Sequence, residues 1–143
     1  MAGAKKIIRL LFLAVIGGVF AFAGGVKVLD PGSFAMDIDH YHLLPRPLIA
    51  GVALYLPWLE CVCAGALLLK KFRAAALGLM LGMSLVFCAA MVSAAARGLN
   101  ISCGCFGTGT GHLGLAIARD VLIMAAIAVC LVAEKKRTDS NQM

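Results

Sequence analysis

Four apolar runs, Ile7 to Leu29, Leu48 to Leu69, Ala74 to Ala96 and Leu113 to Ala133, occupy most of this chain. Each is about twenty residues, the length at which a helix crosses a hydrocarbon core of about 30 Å. In hydrocarbon the backbone must satisfy its own N–H and C=O groups, so each run is expected to be helical. Hydrophobic residues make up 62% of the chain and charged residues 14%, against roughly 45–50% and 25% in soluble domains. Four spans and their connections fill residues 1–143, which predicts one all-α membrane domain, a four-helix bundle.

The placement of charge predicts its orientation. Lys5, Lys6 and Arg9 stand at the start of the first run, Lys70, Lys71 and Arg73 between the second and third, and Lys135, Lys136 and Arg137 after the fourth. The first loop instead holds Asp30, Asp37, Asp39 and Arg46, and the third holds Arg97. Basic loops stay in the cytoplasm, so both termini and the second loop are expected there, with the first and third loops outside. The net charge of +6 is then anchoring charge, and a nucleic-acid partner is not implied. Lys5, Lys6 and the Ala21-Phe22-Ala23 stretch imitate a secretory signal. The apolar run continues to Leu29, however, and so predicts a retained span.

Asp30-Pro31-Gly32 should stop the first helix. From Ser33 to Leu44, Phe34, Ile38 and Tyr41 recur at helical spacing, predicting a short helix in the outer interface. Pro45 and Pro47 should end it. Pro57 inside the second run predicts a bend or an unpaired carbonyl.

Glu60, Arg119, Asp120 and Lys27 lie inside apolar runs. Charge at membrane depth is expensive, so such residues face the bundle interior and pair. Two readings follow: a buried ion pair, Glu60 or Asp120 with Arg119 or Lys27, or a proton relay beneath the outer loops. Arg119 and Asp120 are neighbours, about 100° apart around the helix, and are not expected to face one partner.

The six cysteines fall into two groups. Cys103-Gly104-Cys105 lies in the third loop, where a disulfide would close a small ring far from relaxed geometry. Strained, exposed disulfides are the exchange-active kind, so Cys103 and Cys105 are read as a redox pair. A static staple, two free thiols, or a soft-metal site with His112 as third ligand are the alternatives. Cys61 and Cys63 repeat the spacing inside a helix, where residues two apart point about 200° apart and cannot bridge. Together with Cys88 and Cys130 they read as small apolar fillers. His40 and His42 read as solvated, with His40 a local base if it lies near the loop thiols.

Across the chain run Gly24-Gly25-Val26-Lys27, Asp30-Pro31, Phe34-Ala35, Tyr41, Leu44-Pro45, Leu56-Pro57-Trp58-Leu59-Glu60, Cys103-Gly104-Cys105-Phe106-Gly107 and Arg119-Asp120. In these motifs and their order the sequence resembles the MauE family, within the DoxX-like four-helix membrane proteins. The resemblance implies a multi-pass accessory protein of the bacterial inner membrane, linked to methylamine metabolism. It also implies passage of oxidising equivalents to a periplasmic thioredoxin-like or client protein, with quinone as the membrane acceptor. On this reading Cys103 and Cys105 carry the redox step, while Glu60 and Arg119 give polar support or handle protons. The rival readings are a soft-metal or small-thiol carrier using the loop cysteines, and a non-catalytic assembly factor.

Overall fold

The structure, a computed structural model, describes residues 2–99 and 113–142. In chain order the elements are α1 (Ala2–Leu29), α2 (Pro31–His40), α3 (Arg46–Ala66), α4 (Arg73–Ala96) and α5 (Leu113–Gln142), with no strand among the described residues. Four helices carry stretches long and apolar enough to cross a membrane: Lys6–Leu29, Arg46–Ala66, Arg73–Ala96 and Gly114–Arg137. At most 33% of the most apolar window in any of them is buried inside the protein. Leu11, Val15, Tyr55, Trp58, Leu68, Val86 and Leu122 all point outward. A soluble fold does not leave such surface bare, and the chain is a multi-pass membrane protein.

Packing is uneven. α1 runs closely along α3 and α4 along α5, whereas α3 and α4 touch far less. The main core joins Leu13, Ile16 and Phe20 of α1 to Cys63 of α3, Leu77 and Met80 of α4, and Ile127 and Cys130 of α5. A smaller cluster of Tyr41, Met91 and Ala94 closes the other end against Ala116 and Ile117.

The spans stand where the apolar runs predict them, with differences at the edges. α3 ends at Ala66 and not Leu69, because Leu67 to Phe72 build the reversal into α4. Leu67 is buried there, and its carbonyl accepts from Arg73 Nε at 2.7 Å. The last leucines of the run therefore serve a packed turn. α1 and α5 continue past their apolar runs into charged residues.

The short helix α2 is present but shifted, covering Pro31–His40 where Ser33 to Leu44 was expected. Asp30 is the reason: its side chain accepts from Ser33 N at 3.0 Å and from Ser33 Oγ at 2.7 Å, and Pro31 follows in the first turn. The signal that stops α1 also starts α2. After His40 the chain turns through Tyr41 and His42, whose φ of 48° lies in the left-handed region. Pro57 is fully buried within α3, and the helix runs through it.

Candidate functional site

The site begins with a glycine. A Cβ at Gly24 would sit 2.8 Å from Cys61 Sγ, 2.9 Å from the Pro57 carbonyl oxygen and 3.1 Å from Glu60 Cβ. No side chain fits, so α1 and α3 approach backbone to backbone here. Three residues on, Lys27 reaches across and donates to Glu60 Oε1 at 2.8 Å and Oε2 at 3.0 Å. Both side chains are at least 96% buried. Of the pairings open to the sequence, the structure selects this one. Its gain comes from geometry: two charge-assisted hydrogen bonds offset a desolvation cost that a looser pair would not recover.

Lys27 Nζ also lies 4.9 Å from the ring centres of both Phe34 and Phe87. Both rings attract the cation, adding to its contact with Glu60. Arg119 and Asp120 both line a small cavity beside this pair, with Ser84 and Phe87. Neighbours about 100° apart can border one cavity without facing one partner. Asp120 is the residue of this group that the sequence reading undervalued; its adjacency to Arg119 hid it.

On the other side of Phe34 and Phe87 opens a cleft of about 730 Å³ between α2, α3 and α4. That size is ordinary for a small-molecule site, about 300–1,000 Å³. Gly78, Gly82, Met83, Val86 and Leu56 make it apolar, and Asp37, Tyr41 and Ser93 place its polar groups toward one end. From Gly78 to Ser93 along α4 it extends about 22 Å at 1.5 Å per residue. Burial pushes the Asp37 carboxyl above the usual carboxylate range, and His40 beside it partly opposes the rise. Arg97 secures the polar end: its guanidinium donates to the Tyr41 carbonyl through Nη2 and, through Nε, to the Ser93 carbonyl at 3.3 Å. The lone charge of the third loop is thus a clasp between α4 and the end of α2.

At the far end of the bundle a second cluster forms around Glu134, which is buried. Arg73, Arg9 and Arg137 place Nη1 at 3.6, 3.9 and 3.9 Å from its carboxylate oxygens. Sequence reading missed it, because Glu134 precedes Lys135-Lys136-Arg137 and looks like part of a basic tail.

The cysteine pair Cys103 and Cys105, with His112, lies outside the described residues. Of the deeper cysteines, Cys63 and Cys130 share the main core and Cys61 packs on Gly24. All four of Cys61, Cys63, Cys88 and Cys130 are free thiols. Among the described residues no three His, Cys, Asp or Glu side chains gather as a metal centre would require. His40 and His42 are exposed.

No solved structure matches this chain. A protein of Methylophilus methylotrophus, "Methylamine utilization protein MauE", is 32% identical over 126 residues, covering 86% of this chain and 65% of that protein. The chain thus spans about 65% of the length of this curated relative. The family model described as "Methylamine utilisation protein MauE" matches residues 5–133, the four spans and the charged groups between them, and the chain belongs to the MauE family.

Proposed function

We propose that this protein is an inner-membrane thiol–disulfide redox or accessory protein. It passes oxidising equivalents between a periplasmic partner and a lipid-soluble acceptor of the quinone class, in a role within methylamine utilisation. The partner is a thioredoxin-like protein or a client enzyme undergoing maturation. Both termini lie in the cytoplasm, and the loop of Cys103 and Cys105 faces the periplasm.

The observation that carries the reading is the cleft between α2, α3 and α4: apolar along its length, polar at one end, and separated from buried charge by the Phe34 and Phe87 rings. An amphiphile with a long apolar tail and a small polar head suits that lining. Family membership supports the membrane and methylamine parts of the proposal.

The chemistry balances without an added reactant. The partner's dithiol attacks the Cys103–Cys105 disulfide through a mixed disulfide, and leaves as the oxidised partner with Cys103 and Cys105 as two thiols. Those thiols return to the disulfide by losing two electrons and two protons, and a quinone gaining both becomes the quinol. Glu60 and Arg119 give polar support inside the bundle.

The test is capture of the mixed disulfide. A Cys105→Ser variant, quenched with acid and alkylated in native membranes, is expected to carry a periplasmic protein on Cys103, and the Cys103→Ser/Cys105→Ser variant none. Absence of any mixed disulfide from the Cys105→Ser variant ends the reading.

A further inference from the structure

A cavity of about 40 Å³ lies among Lys27, Glu60, Ser84, Arg119 and Asp120, walled by Phe20 and Phe87. Asp120 is 7% exposed, and its Oδ2 has no hydrogen-bond partner among the described residues. A carboxylate oxygen bare at this depth is costly, so the site requires a donor. The cavity exceeds the roughly 10–15 Å³ that one water needs, and polar groups converge on it. A small cation is the poorer occupant. Among the described residues no three His, Cys, Asp or Glu side chains gather to hold one, and Lys27 and Arg119 already stand beside the two carboxylates.

We propose that this cavity holds water that donates to Asp120 Oδ2, and that Asp120, through that water, takes up and releases a proton inside the bundle. Glu60 does not serve, because both its oxygens accept from Lys27 Nζ and protonation would break that pair. Protonated at Oδ2, Asp120 instead becomes a donor to the same water, and no hydrogen bond to that oxygen among the described residues is lost. Among the described residues the charged groups that line the cavity with it are Lys27 from α1, Glu60 from α3 and Arg119 from α5, while α4 offers the Ser84 hydroxyl. α2 adds only the Phe34 ring behind Lys27. The inference does not rest on the thiol reading and can be tested in protein whose loop cysteines are both serine.

The experiment is infrared difference spectroscopy of the full chain in lipid bilayers between two pH values, in ordinary and oxygen-18 water. A protonated-carboxyl C=O band should grow as pH falls, vanish in Asp120→Asn and persist in Glu60→Gln. A water O–H band should shift with oxygen-18 and be displaced in the same Asp120 variant. Spectra with no carboxyl band that depends on Asp120, or with no oxygen-18 shift, overturn the proposal. If Asp120→Asn does not fold, Ser84→Val fills the cavity without altering charge. It should remove the water band and move the carboxyl band; spectra unchanged from wild type again overturn the proposal.

Discussion

The two charge clusters of this bundle each hold a buried glutamate, and they hold it in opposite ways. Lys27 and Glu60 form a one-to-one pair with two bonds of 2.8 and 3.0 Å, sealed by aromatic rings. Glu134, 14 residues along α5 from Asp120 and so about 21 Å away, stands among three guanidiniums at 3.6 to 3.9 Å. The first is an interior contact away from bulk solvent and its salt, and its worth depends on both partners being present. The second joins α1, α4 and α5 at the basic end. Its arginines can turn to lipid headgroups when their partner is removed. Geometry and depth, more than the number of charges, set what each cluster contributes.

The largest expected effect is at Glu60. Glu60→Leu strands a buried ammonium and should cost about 3–5 kcal/mol, measured by reversible unfolding in lipid or detergent. Adding Lys27→Met should recover most of it. A double variant no more stable than the single one would break the contrast between the clusters. Next comes Gly24→Ala, which wedges α1 from α3 and should cost about 1–3 kcal/mol. Gly17→Ala, where a Cβ meets Leu67 Cδ1 at an ordinary 3.4 Å, should be near neutral or gain up to about 1 kcal/mol from helix propensity. Equal losses at the two glycines would show that close approach is not special to the Lys27–Glu60 level.

Glu134→Gln is smaller, about 1 kcal/mol, and should shrink further as salt rises. The Glu60→Leu loss should be indifferent to salt, and stability measured at two ionic strengths separates them. The smallest effect is a pH effect at Asp30. Bonds from Ser33 hold its carboxyl below the ordinary value of 3.8. Its contribution is thus complete above that value and is lost as pH falls through the lower folded value. Amide exchange at Ser33 and Phe34 should quicken in that acid window. Asp30→Asn, still able to cap α2, should remove the pH dependence.

Much of this architecture is written in run length. Four stretches of spanning size leave few options in hydrocarbon, and the charges between them mark the same end of the bundle. The pairing of Lys27 was legible as one of several, because buried charge needs a partner. The choice of Glu60 was not, since it depends on α1 and α3 meeting at Gly24. Glu134 escaped notice because Arg9 and Arg73 are distant in sequence and become its neighbours only when three helices converge. The cleft is invisible in the chain for a related reason. A void arises from what α3 and α4 fail to fill, and Gly78 and Gly82 look like any other small residues.

The contact at Gly24 reaches into the family's history. Because Cys61 Sγ would stand 2.8 Å from any Cβ at position 24, the two sites share one allotment of space. A smaller residue at 61 would not by itself admit a Cβ at 24, because the Pro57 carbonyl oxygen would still stand 2.9 Å away, so glycine is expected at 24 among homologous sequences whatever residue stands at 61. The thiol of Cys61 packs on that glycine, and its position there needs no chemical task to account for it.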